Sequence, residues 1–199
     1  MLLPTPPSAS EIAPDEFEID HEKVIEVLSD FGECVPQPPE KWNGNFPLPQ
    51  TVLDFYSKIG PMNIKLPRTE ILIPSLENLA SENEQYEDWR NKWAIIDGEP
   101  SGYKPEDFLV IFDYAEVWCV EGDNYTNIGH GEYSDLSMDW IEMSLSTLAV
   151  YFALLESISP EIPEDQRKAE VENKLASLSG SRELARHWIE DVWNTVGYW

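Results

Sequence analysis

The stretch FLVIFDYAEVWCVEGDNYTNI at residues 108–128 decides the fold class. Its runs Phe108 to Phe112 and Val117 to Val120 are rich in β-branched and aromatic residues, which favour strands. The segment Asp113 to Glu116 between them is short and polar, as in a hairpin connection. Tyr125 to Ile128 predicts one more strand, and Ala94 to Ile96 belongs to the same β-rich region. The stretch therefore predicts a mainly antiparallel sheet in the middle of the chain.

Upstream of the sheet, the spacing of apolar residues predicts helices. Asp20 is a suitable N-cap for the first helix, and a glycine followed by a proline ends the second. The predicted segments are helices at His21–Phe31, Pro49–Ile59 and from Ser75 to about Trp93, with a short strand at Ile71–Ile73.

Downstream of the sheet, the chain is helical to its end. Predicted helices cover Ser144–Ile158, about 164–178, and an amphipathic segment after Gly180 that carries Leu184, Trp188 and Val192 on one stripe. The order of helices, strands and helices fits an α+β domain with a mainly antiparallel central sheet flanked by helices. We expect a flexible acidic arm rich in proline at residues 1–19, the α+β domain at 20–158, and a helical C-terminal extension at 159–199 that packs on the same domain.

The charge of the chain restricts its partners. It contains 38 acidic and 13 basic residues, a formal net charge of −25. Nucleic-acid phosphates and anionic membranes attract cations, so a body this negative is repelled from both. We therefore expect a basic protein partner, with no nucleic acid and no membrane, although a high net charge also serves solubility.

The acids are concentrated along the chain. Residues 105–166 contain fourteen acidic residues and no lysine or arginine. Aromatic side chains alternate with these acids, and tyrosine is favoured at the energetic centre of interfaces. For the tyrosines a place in the core is an equal alternative, whereas Phe112 and Trp118 are expected in the core. The predicted partner-binding residues are Asp113, Tyr114, Glu116, Glu121, Asp123, Tyr125, Glu132, Tyr133 and Asp135.

The sequence contains no motif that indicates a catalytic, cofactor-binding or metal-binding residue. His21-Glu22 begins like a zinc-protease helix, but Ile25 stands where the second histidine must lie. The stretch 123–128 departs from a calcium loop at its third and sixth positions. His130, between two glycines, has no nucleophile or second histidine placed by sequence to work with it. We therefore expect a protein that is not an enzyme, with a hydrolase built on a carboxylate pair or on His130 as the alternative.

The chain also has features that bear on its compartment. Its start has no basic region and is broken by prolines, unlike a signal peptide, and its longest apolar run, Leu148–Leu155, is too short to span a bilayer. Cys34 and Cys119 are the two cysteines, and a disulfide between them stays open at this point. We expect a cytoplasmic protein.

Four segments resemble the SUKH superfamily, which includes fungal cell-wall assembly regulators and many bacterial immunity proteins. Leu-Pro, an aromatic helix and a terminal glycine occur in Phe46–Gly60, and a short strand followed by a helix in Ile73–Leu79. Phe108–Val120 is similar to its paired central strands, and Leu145–Leu155 to its closing helix. The chain departs from the family at Asp113–Glu116, where members have a glycine-rich turn, and in its tail after residue 160.

The resemblance implies an α+β fold without catalytic residues. In bacteria it implies an immunity protein that neutralises a toxin, and many such toxins are nucleases whose clefts are basic because they hold phosphates. The alternative that the resemblance leaves open is a regulatory or scaffold protein of the fungal type, which would use the acidic arm and the helical tail for its partners.

Overall fold

The computed structural model describes residues 19–45, 47–96, 99–100, 108–112, 117–121, 126–130, 139–141 and 143–193. Within these ranges the fold is α+β, and every strand pairs antiparallel with its neighbour. The helices are α1 (His21–Ser29), α2 (Gln50–Lys58), α3 (Leu76–Glu84), α4 (Glu87–Ala94), α5 (Leu145–Ser157), α6 (Glu164–Ser179) and α7 (Arg182–Val192), with a 3₁₀ turn at Pro39–Lys41. The strands are β1 (Ile64–Leu66), β2 (Ile71–Ile73), β3 (Ile95–Ile96), β4 (Glu99–Pro100), β5 (Phe108–Phe112), β6 (Val117–Glu121), β7 (Thr126–His130) and β8 (Asp139–Ile141).

The described strands form three antiparallel sheets. The largest is a meander in the order β5-β6-β7-β8, and β1-β2 and β3-β4 are two-stranded. The strands predicted at 71–73, 108–112 and 117–120 are confirmed, and β7 begins one residue later than predicted. The register shifts between Val110 and Phe112, and Ile111 and Phe112 are both buried. An irregularity of this kind re-aims side chains, which allows two consecutive residues to enter the core.

Helix α5 is the centre of the core. Every residue from Leu145 to Leu155 is buried, and the helix contacts α1, α2, α6 and β1. Its Phe152 ring lies edge-on to Phe112, with 5.8 Å between ring centroids, and Phe112 in turn lies 6.1 Å from Phe55. An apolar surface on all sides of a helix is typical of a helix enclosed by its neighbours.

The ends of the predicted helices are largely confirmed. The Asp20 carboxylate accepts from the Glu22 amide, and the Ser144 hydroxyl from the Thr147 amide, as N-caps do. At the C-terminal end of α6, Gly180 has φ of +73°, the left-handed conformation that favours glycine.

The helix predicted from Ser75 to about Trp93 is wrong, because two helices, α3 and α4, occupy this segment. Asn83 is buried near the end of α3, and its side-chain amide donates to the Leu79 carbonyl. A side chain that bonds to the carbonyl four residues earlier competes with the helix backbone. The Tyr86 amide then donates to the Asn83 carbonyl three residues back, and the first helix ends there.

Buried polar side chains join the start of α3 to the preceding loops. The amide of Gln37, which is 1% exposed, donates to the Pro61 carbonyl, and its oxygen accepts from the Leu76 amide. Ser75, the N-cap residue, makes no side-chain cap bond. Gln37 therefore satisfies a first-turn amide of α3 from elsewhere in the chain.

The turn between β1 and β2 caps the other end of α5. The Glu156 carboxylate accepts from the amides of Arg68 and Thr69 at 2.9 Å and from the Thr69 hydroxyl at 3.1 Å. The Arg68 guanidinium in return donates to the carbonyls of Leu155 and Glu156. Because the last carbonyls of a helix have no partner within it, this exchange satisfies both elements.

Replacing Glu156 with glutamine is expected to lower the free energy of unfolding by about 2 kcal/mol, since hydrogen bonds to a charged acceptor contribute about 1.5 to 3 kcal/mol each. Urea denaturation measures the change. The matched control is Glu170→Gln, which removes an exposed pair with Lys174 at 3.7 Å and should cost less than about 0.5 kcal/mol. Equal losses in the two variants would contradict the capping role of Glu156.

Ile19, the last residue of the predicted arm, is 1% exposed and belongs to the core. The rest of that arm lies outside the described residues.

Val171, Leu175 and Trp188 of the C-terminal helices belong to the same hydrophobic cluster as Val24 of α1. Cys34 is a free thiol in the structure and forms no disulfide.

Candidate binding site

The predicted partner-binding residues fall almost entirely outside the part of the chain that the structure describes. Glu121 is the last residue of β6, and its backbone pairs with Thr126 of β7. Eight others lie outside the described residues: Asp113, Tyr114, Glu116, Asp123, Tyr125, Glu132, Tyr133 and Asp135. The structure does describe strands β5 to β8, and the predicted residues occur in the segments between the ends of these strands.

Those strand ends lie in one row across the largest sheet. Phe112 pairs with Val117, Val117 with His130, and His130 with Asp139. We call this row, which contains one residue from each of β5 to β8, the strand-end row. Segments 113–116 and 131–138 both leave the sheet and return to it at this row, because consecutive antiparallel strands are joined at alternate ends.

The two segments that connect strands at the strand-end row are both acidic in sequence, and we call this end the acidic sheet end. The acidic residues of these two segments and of the row itself are Asp113, Glu116, Glu132, Asp135 and Asp139. Neither segment contains a lysine or arginine. Carboxylates without interleaved cations add their potentials. Six of the nine predicted residues belong to segments 113–116 and 131–138.

Candidate groups for catalysis do not assemble in the described part of the chain. Burial, reinforced by the neighbouring Glu33 charge, raises the pKa of the Cys34 thiol to about 11, so this thiol stays protonated and is a weak nucleophile. Burial also raises the pKa of Tyr151. His130 is placed by its backbone in the strand-end row. No group of three potential metal ligands occurs among the described residues.

A separate polar cleft of about 230 Å³ opens between α1, α2 and α5. His21, the first residue of α1, lines it beside Asp54 and Lys58 of α2, and buried Phe55 forms part of its wall. The remaining lining residues come from the first turns of α2 and α5: Gln50, Thr51, Leu145 and Ser146.

The charged groups of this cleft form a local network on α2. The Gln50 amide donates to one Asp54 oxygen at 2.6 Å, and the Lys58 ammonium to the other at 3.0 Å. These two hydrogen bonds hold the pKa of Asp54 below its usual value, with the charges of Lys58 and His21 acting in the same direction against partial desolvation. Asp54 is therefore an anion and an acceptor, and it is poorly suited to act as a general acid.

Sequence reasoning missed this cleft. The spacing Gln50, Asp54 and Lys58 does place all three on one helix face, a signal that is visible in the sequence. From the sequence, His21 stood out only as the first position of an incomplete zinc-protease motif. Nothing in the sequence indicates that the starts of α1 and α5 lie beside α2, because that arrangement depends on packing around α5.

None of the helices in the described ranges combines the length and the apolar composition needed to cross a membrane. Comparison of the chain with protein-family models, with curated proteins and with solved structures finds no match.

Proposed function

We propose that this protein is a non-enzymatic binding protein whose acidic sheet end holds a basic protein partner, and that the partner is a toxin it neutralises in the cytoplasm. The observation that carries the proposal is the strand-end row, where two acidic segments free of lysine and arginine leave the same end of one sheet. The resemblance to the SUKH superfamily supports the choice of a toxin as the partner.

Electrostatics give this arrangement a mechanism. A nuclease toxin must hold phosphates in a basic cleft, and a cluster of carboxylates presents the same sign of charge as the nucleic acid. Complementary charge raises the association rate well above the neutral range of about 10⁵–10⁶ M⁻¹s⁻¹ and disfavours acidic proteins as partners. Tyrosines within the same segments, Tyr114 and Tyr133, supply contact area at low conformational cost.

The predicted consequence is a slower association when the acidic end is neutralised. The test variant combines Asp113→Asn, Glu116→Gln, Glu132→Gln and Asp135→Asn. At low salt we expect its association rate with the partner to fall about tenfold or more, because steering scales with the charge near the contact. Rising ionic strength should reduce the wild-type rate and narrow this difference. Stopped-flow mixing with the purified partner measures the rate.

The matched control removes an equal number of negative charges, four, from exposed positions elsewhere in the chain. Its substitutions are Glu26→Gln, Glu40→Gln, Glu84→Gln and Glu190→Gln. This control should stay within about threefold of the wild type, since distant charges are screened. Equal losses in both variants would show that bulk charge, and not the acidic end, attracts the partner.

The partner is obtained by co-purification from the native cell and identified by mass spectrometry. The proposal requires that this partner, expressed alone, arrests growth and that co-expression of the present chain restores it. A partner that is harmless when expressed alone would reject the toxin assignment. Absence of any basic protein in the complex would reject the proposed binding mode.

A further inference from the structure

The starts of three helices meet at the polar cleft between α1, α2 and α5. His21 is the first residue of α1, Gln50 and Thr51 open α2, and Leu145 and Ser146 open α5. The first amides of a helix have no partner within it, and together with the helix dipole they attract anions. A volume of about 230 Å³ lies below the roughly 300 Å³ at which pockets for drug-sized ligands begin. The cleft therefore suits a small metabolite.

The three helix starts differ in how their amides are satisfied. In α1 the Asp20 carboxylate already supplies a negative charge to the Glu22 amide. In α5 the cap is the neutral hydroxyl of Ser144. In α2 the cap residue is Pro49, which makes no side-chain cap bond. The starts of α2 and α5 consequently keep their positive potential, whereas the Asp20 carboxylate neutralises the positive potential at the start of α1.

Ser146 provides independent support for a ligand in this cleft. It is 6% exposed and lines the cleft, and its hydroxyl has no hydrogen-bond partner in the ranges that the structure describes. The hydroxyl oxygen is nevertheless not sealed from solvent. A nearly buried hydroxyl that reaches solvent only through a cleft takes its partner from whatever occupies that cleft, water or ligand. The accessible side of Ser146 faces the cleft, so a bound molecule is positioned to supply that partner.

The charge of the cleft selects the class of ligand. Lys58 and Asp54 form an ion pair at 3.0 Å, and their charges cancel at a distance. What remains is the potential of two helix starts, each equivalent to roughly half an elementary charge. Two such halves match one negative charge. Phosphate groups carry about −1.5 to −2 near neutral pH, which exceeds the charge that these two helix starts match.

We propose that this cleft binds a small monocarboxylate, with the carboxylate held between the starts of α2 and α5. The amides and hydroxyls of Thr51 and Ser146 donate to the carboxylate oxygens, and the Lys58 ammonium lies at the rim. The apolar part of the ligand packs against Phe55 and Leu145, which are both buried residues of the cleft wall. This site is formed by helices and does not depend on the acidic sheet end or on its partner.

The test is a titration of the full-length ¹⁵N-labelled protein, followed through its backbone amide resonances. The probes are sodium acetate and sodium lactate, with inorganic phosphate and sodium chloride at matched ionic strength. The two carboxylates should give saturable shifts centred on Thr51 and Ser146, with a dissociation constant on the order of 1–10 mM, which is typical of weak small-ligand binding. Phosphate and chloride should give no saturable shift at these amides.

Variants of the cleft assign the binding to its residues. Ser146→Ala and Thr51→Val should each weaken lactate binding about fivefold, the effect of losing one hydrogen bond, and Lys58→Gln should weaken it as well. The matched control is Lys174→Gln, which breaks an ion pair of the same i,i+4 spacing on α6 and should leave the affinity unchanged. Should Ser146→Ala fail to fold, Thr51→Val decides the question, because Thr51 is only partly buried.

Three results would overturn the proposal. Lack of saturation by either carboxylate in the wild type would show that there is no such site. Saturation by phosphate at the same amides would reject the monocarboxylate class. Unchanged lactate affinity in the Thr51 and Ser146 variants would place any binding elsewhere.

Discussion

Replacing Gly60 with alanine is expected to lower the free energy of unfolding by about 3 kcal/mol or more. Gly60 has φ of +65°, a conformation that costs an alanine roughly 1–2 kcal/mol. An added Cβ would also collide with the Val35 carbonyl oxygen, far inside contact distance. The Val35 amide donates to the Gly60 carbonyl at 2.7 Å, so the two backbones cannot separate without losing this bond.

Gly180 is the matched control for this substitution. It has a similar φ of +73°, but no atom lies within 4 Å of an added Cβ. Gly180→Ala should therefore cost only the conformational part, about 1 kcal/mol. Urea denaturation of both variants measures the difference. If the two alanines destabilise the protein equally, the close approach of Val35 to Gly60 has no energetic weight and the explanation is wrong.

Replacing Phe152 with alanine is expected to cost about 4 kcal/mol, within the range for large buried aromatic residues. Phe152 is fully buried, and its ring lies edge-on to Tyr151 at 5.5 Å and to Phe112 at 5.8 Å. Truncation removes both ring contacts and leaves a cavity between α5 and β5. The surrounding residues can fill that cavity only in part, because the helix is packed on every side.

A partly buried phenylalanine provides the comparison. Phe31 follows α1 and packs against the edge of the core. Phe31→Ala should lose less than half as much stability as Phe152→Ala, since less apolar surface leaves contact with protein. Thermal and urea unfolding, evaluated at one temperature, measure both variants. Comparable losses would contradict the central position assigned to Phe152.

The parts of the fold that follow from sequence are those with strong local signals. The run 108–112 and the Ser144 cap before an apolar helix were sufficient to predict β5 and α5. The short strands β1, β4 and β8 went unpredicted, because the polar or proline residues Lys65, Pro100 and Asp139 interrupt any apolar run, whereas the equally short β2 is the unbroken apolar run Ile71–Ile73. The break between α3 and α4 depends on the buried side chain of Asn83, and burial is a property of the tertiary structure.

The candidate sites divide in the same way. The acidic residues between 113 and 135 could be selected from charge and composition alone. The grouping of segments 113–116 and 131–138 at one end of the sheet depends on the register that aligns Phe112, Val117, His130 and Asp139, and Glu121 lies at the opposite end. The cleft at Asp54 depends on contacts between helices that are distant in sequence, and neither feature is encoded by local spacing.

The enclosed position of α5 has a consequence for how the chain unfolds. Its partners α1 and α6 lie on opposite sides of it in the sequence, and both pack against it in the structure. Neither the segment before α5 nor the segment after it can therefore complete a core without this helix. Partial opening of any one of these helices would expose α5 to water, so the described helices around it should melt in one cooperative step. Contacts between α1 and α5 also close a long loop, which favours slow folding over a rapid local assembly.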